Sequence, residues 1–384
     1  MHLLVTLALA LAAAIWILQT VRIATGAAKM PRLAQFNSAL VAPTPRISII
    51  FSARDEAEKL PAALSSMLAL DYPEFEVIAV NDRSADATPK ILDDFASKSP
   101  RLRAIHVTQL SAGWLGKPHA LALAAAAAQG EWLLFTDADV CFKPESLRLA
   151  LNLAIAERAD HLSLLARAQM VGFWEKVVMT SFALGFLIGV EPWLASDPRS
   201  KRYVGIGAFQ MIRREVYEAI GGHRRLAMEV VEDMKLGKLV KQGGYRSVVG
   251  RVDDEISVRW QAGLGNLVRG TTKNFFAATG FNLPLAIFQV CGLLLMSVLP
   301  WIAIFAAHGW PRLLAAISVA FALLLHGAVT RETETPAYYA LTHPIGALIF
   351  TWMLVRSTIV TLWRGGIVWR DTFYPLAELR RGVV

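Results

Sequence analysis

A chain of 384 residues with 55% apolar and 18% charged side chains is long enough for one large domain plus further segments, and too apolar to live wholly in water. The net charge of +8 is a moderate excess, and no stretch concentrates Lys and Arg among aromatics. That pattern excludes a nucleic-acid surface and leaves anionic lipid head groups or an anionic phosphate substrate as partners. Two cysteines, Cys141 and Cys291, are too few for a disulfide framework and suit a reducing compartment.

Taken in chain order, Leu3 to Ile23 is apolar with no charged side chain before Arg22, enough to cross a hydrocarbon core of about 30 Å. A cleaved signal peptide would start with a basic stretch and carry a shorter apolar run, so residues 1–25 read as a transmembrane anchor. Arg22, Lys29, Arg32 and Arg46 follow. By the positive-inside rule they put the next domain in the cytoplasm, at the inner membrane of a multi-pass protein.

Between 45 and 280, short β-rich runs alternate with helical stretches. "RISIIFSARDE", "FEVIAVNDRS", "LRAIHVT" and "EWLLFTDAD" read as strands, and "EKLPAALSSMLAL", "ATPKILDDFASKS" and "KPHALALAAAAAQG" as helices. Such alternation implies an α/β domain with a mostly parallel sheet, whose ligands bind beyond the C-terminal strand edges. "VVMTSFALGFLIGVEPW", from Val177 to Trp193, holds about a dozen uncharged residues, too short a run to span, which suits an interfacial helix or a buried core helix. Three more apolar segments, near Leu283–Ala307, Leu313–Thr330 and Pro344–Leu362, make a C-terminal membrane region over 283–362. The tail 363–384 is basic, with Arg364, Arg370, Arg380 and Arg381. Four spans would put this tail on the far side from the domain, against the positive-inside rule, so one of the last three segments is expected to be re-entrant or interfacial, with the last, interrupted by Arg356, or the short middle one as the candidate.

"EWLLFTDADV" places Asp137 and Asp139 just behind a buried strand. Residues two apart point the same way from a strand, so both carboxylates can face the sheet-edge crevice. Two convergent carboxylates repel unless a cation lies between or beside them. Mg²⁺ or Mn²⁺ prefers carboxylate and phosphate oxygens and is commonly shared with a substrate diphosphate. A lone D-x-D also arises when one Asp caps a helix and the other is solvated. Asp82 before Arg83-Ser84 equally suits a turn residue, Arg54 a local pair with Asp55, and Glu232-Asp233 the favourable end of a helix dipole.

The ordered set "SARDE", "NDRSADAT", "GWLGKPHAL", "FTDADV" and "VEDMKLG" closely resembles the glycosyltransferase family 2 pattern over roughly residues 45 to 280. The resemblance implies a nucleotide-sugar-binding domain of the GT-A type. It implies that Ala53, Arg54 and Glu56 line the nucleoside pocket and that Asp82 meets the base of a UDP-type donor. It further implies that Lys117 touches the donor, that Asp137 and Asp139 hold the diphosphate through the metal, and that Asp233 is the catalytic base, with Glu232 beside it. The residue types fit an inverting transfer, in which a metal neutralises the leaving diphosphate and one carboxylate takes the acceptor proton.

Processive members of this family carry Gln-x-x-Arg-Trp, whereas here the nearest match is Asn266-x-x-Arg269-Gly270, without the Trp. Arg269 and Lys273 remain candidates for a diphosphate clamp, or are solvated charges facing the membrane. The tail "RGGIVWRDTFYPL" resembles the Trp-Arg-x-x-x-Tyr ending of members that glycosylate carotenoids, hopanoids and ceramide-like lipids. The expectation is therefore transfer of one sugar to a hydroxyl or carboxyl of a membrane lipid. The alternatives are a processive polysaccharide synthase and a non-catalytic lipid-binding or scaffold homologue.

Overall fold

The computed structural model describes residues 2–37 and 44–384. The chain divides into two compact units. One gathers the residues up to Ala28 with Met170–Glu191 and Trp260–Leu376; the other gathers Lys29–Gln169, Pro192–Arg259 and Ala377–Val384.

The second unit is α/β. Its strands in chain order are β1 (Ile47–Ala53), β2 (Phe75–Asp82), β3 (Leu102–Val107), β4 (Trp132–Phe135), β5 (Val140–Phe142), β6 (His161–Leu165), β7 (Arg167–Ala168), β8 (Gln210–Arg213), β9 (Ser247–Arg251) and β10 (Ile256–Val258). Seven of them form one sheet in the order β3-β2-β1-β4-β8-β6-β9, and β5, β10 and β7 form a smaller one. In the large sheet β8 runs antiparallel to β4 and β6, while the other pairs are parallel. This is the expected mixed α/β fold with a mostly parallel sheet.

Both faces of that sheet are covered, which is why its strands read as near-continuous apolar runs. Ile47, Ile49, Phe51 and Ala53 of β1 pack on one face with Leu60, Leu64 and Met67 of helix Leu60–Leu68 and with Leu149 and Leu153 of helix Ser146–Ala156. Ile50 turns to the other face, with Ile78, Val80, Leu133 and Phe135, against helices Gly116–Ala127 and Glu232–Gln242. Burying each such side chain contributes roughly 1.5–3 kcal/mol. The rigid slab that results fixes where the strand ends project.

The first unit holds helices His2–Ala27, Phe173–Val190, Leu283–Ser297, Leu299–Ala306, Trp310–Glu332 and His343–Arg364. Among the described residues five stretches, Leu3–Ala27, Phe173–Leu194, Leu283–Ala306, Trp310–Glu332 and Ala337–Arg364, are long and apolar enough to cross a membrane. Phe173–Val190 is longer than the dozen uncharged residues in it suggested. Its first turn includes Glu175, which is buried and accepts the Val171 and Gly263 amides at 3.0 and 2.8 Å, so a charged residue does not end the helix. The stretch read as one segment from Leu283 is two helices, since Pro300 supplies no N–H and opens a new helix after Val298. The tail motif forms a hairpin of β11 (Gly366–Trp369) and β12 (Thr372–Pro375), whose two turn residues Arg370 and Asp371 both have positive φ.

Candidate active site

The polar residues that end β1, β2 and β4 gather at one edge of the sheet because these strands are parallel and in register, with Ala53 level with Asn81 and Ile50 level with Phe135. The loop after β1 is sewn to the loop after β2. The amides of Asp55, Glu56 and Ala57 donate to Ser84, Thr88 and Asp86, and Asp55 accepts the Ala85 amide at 2.7 Å. The Arg54 side chain is largely buried in this region, 3.9 Å from Asp55. Asp82 is fully buried and its two oxygens take Nε and Nη2 of Arg83 at 2.7 and 3.2 Å. The turn that follows is closed by Asn81, whose side chain accepts the Ser84 amide, rather than by Asp82.

At the end of β4 the acidic pair meets two lysines. Lys117, in the first turn of helix Gly116–Ala127, lies 2.7 Å from Asp137 and 2.8 Å from Glu232. Lys59 lies 2.7 Å from Asp139 and also donates to the Arg259 carbonyl at 3.3 Å. Glu232 and Asp233 open helix Glu232–Gln242, where negative charge suits the helix dipole. Asp233 accepts the amides of Gly207 at 3.0 Å and Met234 at 2.7 Å. A Cβ at Gly207 would stand 2.9 Å from Asp137 Oδ2 and 3.2 Å from Asp233 Oδ2, so the glycine keeps a gap between the two carboxylates. That gap adjoins a small cavity lined by Lys117, Thr136, Gly207, Gln210, Glu232 and Asp233.

The electrostatics differ across the cluster. Burial pushes the Asp233 carboxyl up to about 6, with the Glu232 carboxylate adding to the rise and Lys117 opposing it. Burial also raises Asp139, against the hydrogen bond from Lys59. For Lys117 burial acts downward, but Asp137, Glu232 and Asp233 outweigh it and hold the ammonium well above the usual lysine range.

Lys117, Asp137, Glu232 and Asp233 thus share one contact cluster, whereas Asp139 is paired separately with Lys59. Arg269 and Lys273 belong to the other unit: Arg269 bonds Asn266 at 2.7 Å, one turn back on helix Gly263–Thr271, and the Lys273 ammonium lies 3.9 Å from the centre of the Trp369 ring. Sequence reasoning did not single out Lys59, Gly205, Gly207 or Gln210. The "VGIGAFQ" run, with two glycines ahead of a strand, is the one local signal that could have marked three of them.

Among the described residues no group of three or more His, Cys, Asp or Glu side chains could hold a metal alone. Two carboxylates at a strand end, with the side-chain-free Gly207 beside one of them, fit instead a hard cation that takes its remaining ligands from a substrate diphosphate. Asp137 and Asp139 are the residues that would hold it.

Residues 48–221 match the model of "Glycosyl transferase family 2". The chain is 25% identical over 247 residues to a 4,4'-diaponeurosporenoate glycosyltransferase of Staphylococcus haemolyticus, a match spanning 63% of this chain and 64%, just under two thirds, of that relative. It is 21% identical over 341 residues to the enzyme of the same name from Staphylococcus aureus (strain USA300), covering 86% of this chain and 89% of the relative. Among solved structures, a mannosyltransferase from Pyrobaculum calidifontis in complex with GDP-Man and Mn²⁺ superposes with a TM-score of 0.57 at 21% identity, covering 94% of this chain and 98% of that one. That likeness concerns the fold, which is of the GT-A type. Residues 48–221 thus match glycosyltransferase family 2, and the chain as a whole resembles glycosyltransferases in sequence and in fold.

Proposed function

We propose that the enzyme moves one sugar from a nucleotide-diphosphate sugar, UDP-linked, to a hydroxyl or carboxyl of a membrane lipid, with inversion at the anomeric carbon. The observation that carries this reading is the gap over Gly207, which separates a donor carboxylate, Asp137, from a carboxylate held by two amides, Asp233. Ala53, Arg54 and Glu56 line the nucleoside side and Asp82 meets the base, while Lys117, between Asp137 and Glu232, faces the leaving diphosphate. Mg²⁺ or Mn²⁺ on Asp137 and Asp139 would neutralise the leaving diphosphate. Asp233 takes the acceptor proton, which a carboxylate with a raised pKa does near neutral pH better than an ordinary one.

The acceptor class rests on two supports. Among the described residues five helical stretches are apolar and long enough for a bilayer, and two relatives are named for diaponeurosporenoate, a carotenoid. The Trp of the processive motif is replaced by Gly270 after Arg269, which favours a single transfer over a polysaccharide.

The test is transfer of label from UDP-sugars to a membrane lipid extract by the purified chain in detergent with Mn²⁺, with the anomeric configuration of the product read by NMR. Wild type should label a lipid with inverted configuration. Asp139→Ala should abolish labelling and weaken UDP binding. UDP binding unchanged by chelator and by Asp139→Ala would overturn the acidic-pair assignment, and a retained configuration would overturn the direct displacement.

A further inference from the structure

Each carboxylate of the acidic pair has its own ammonium partner, but the two lysines are held differently. Lys117 is clamped between Asp137 and Glu232, with 17% of its side chain exposed. Lys59 is the residue just before helix Leu60–Leu68, and its side chain is 38% exposed. Its ammonium stands on Asp139 Oδ2 at 2.7 Å and touches the Arg259 carbonyl at the longer distance of 3.3 Å. A divalent cation binding Asp139 through that oxygen would meet the ammonium at close range, and like charges cannot share one carboxylate oxygen. The exposed four-carbon stem lets Lys59 swing away, whereas Lys117 has nowhere comparable to go.

We propose that Lys59 is a resident counter-ion that keeps Asp139 closed to a divalent cation until a nucleotide diphosphate arrives, so that cation and nucleotide enter together. The charge count supports this order. Four carboxylates, Asp137, Asp139, Glu232 and Asp233, face two ammoniums, and a bare cation gains Asp139 only by stripping it of Lys59. A diphosphate brings negative charge that both the cation and the released ammonium can face. The consequence is that the empty enzyme holds no loose cation, and that nucleotide and metal bind with positive coupling, which is reciprocal by linkage. This inference rests on the reading of Asp137 and Asp139 as the cation's ligands.

The experiment measures bound Mn²⁺ by the loss of its free electron-paramagnetic-resonance signal, with the full chain in detergent. Wild type, Lys59→Met, Lys59→Gln and Lys59→Arg are compared without nucleotide, with UDP and with GDP, thermal melting serving as the check on folding. Wild type and Lys59→Arg should bind Mn²⁺ weakly alone and at least tenfold more tightly with one nucleotide. Lys59→Met and Lys59→Gln should bind it at least tenfold more tightly than wild type when no nucleotide is present, and adding Asp139→Ala should erase that gain. If the uncharged variants match wild type without nucleotide, while nucleotide still tightens Mn²⁺ in wild type, the counter-ion role falls and the acidic-pair reading stands. If they lose the nucleotide-dependent binding, Lys59 is a donor ligand and the proposal is overturned. If no variant takes up Mn²⁺ with either nucleotide, the acidic-pair reading fails and the proposal with it.

Discussion

The Asp233 carboxylate accepts two backbone amides, yet it stands beside Glu232 in a buried setting that raises its pKa to about 6. As a general base it must be ionised, so transfer should fall about tenfold per pH unit below pH 6 and level off above it; a flat profile down to pH 4.5 would remove it from the role. Asp233→Asn should cost on the order of 100 to 10,000-fold in transfer while UDP binding hardly moves. A folded-state pKa above the unfolded value of 3.8 means that the folded chain holds its proton more tightly, so ionising it at pH 7 costs stability of up to about 3 kcal/mol; Asn removes that cost but, with one acceptor oxygen, gives up one of the two amide hydrogen bonds. Gly207→Ala should also depress transfer, because its Cβ would fill the gap between Asp137 and Asp233. Normal transfer by this variant would mean that the reacting atoms pass elsewhere. The aspartates were legible in the sequence because each belongs to a motif. Lys59 was not, since nothing in "DEAEKLP" shows that its ammonium reaches a carboxylate 80 positions later.

Helix Glu232–Gln242 can begin where it does because two glycines meet at its first turns. A Cβ at Gly205 would run into the Asp233 carbonyl, and one at Gly237 into the Val204 carbonyl, so the segment before β8 lies directly on the helix. Gln210 of β8 then donates to the Asp233 carbonyl at 3.3 Å and to Nε2 of His161 at 2.8 Å, and His161 pairs through Nδ1 with Ser247 of β9 at 2.8 Å. With Gln210 as donor, the ring is neutral and carries its proton on Nδ1. Burial lowers the His161 pKa to about 3, and that of buried His223 likewise. Above about pH 6.5 both histidines are neutral folded or unfolded and stability does not depend on them. Below it the unfolded chain takes up protons that the folded sites refuse, so each histidine should cost about 1.4 kcal/mol per pH unit down to about pH 3. Melting temperatures should therefore drop steeply between pH 6.5 and 5, and His161→Gln should soften that drop; an equal drop in the variant would show that the acid sensitivity arises elsewhere. The sequence displayed β1 to β4 clearly, because a parallel βα alternation repeats one pattern with short connections. It said little about β6, β8 and β9. There the antiparallel β8 enters between β4 and β6 after a long excursion, and pairings over 49 and 86 positions leave no local trace.

Residues 29–169, 192–259 and 377–384 belong to one compact unit, which can lie on only one side of a bilayer. Each excursion of the chain away from it must then cross an even number of times. The excursion through 170–191 contains one apolar helix, Phe173–Val190, which on this argument would enter a membrane without crossing it. The excursion through 260–376 contains three apolar stretches, so one of them turns back, as the basic tail had already required from sequence. We propose that Leu283–Ala306, whose helix is interrupted at Val298, is the stretch that turns back, so that Trp310–Glu332 and His343–Arg364 would cross out and back and His2–Ala27 would cross once. In a chain whose Cys141 and Cys291 are replaced by serine, single cysteines at Lys201, His308 and Arg381 should be shielded from an impermeant maleimide in intact cells. Glu334→Cys, and a cysteine placed ahead of Met1, should react. Reaction at His308 with protection at Glu334 would move the turn-back to Ala337–Arg364. Different labelling of Lys201→Cys and Arg381→Cys would break the shared-side argument itself, since those positions belong to the same folded unit and cannot face opposite compartments.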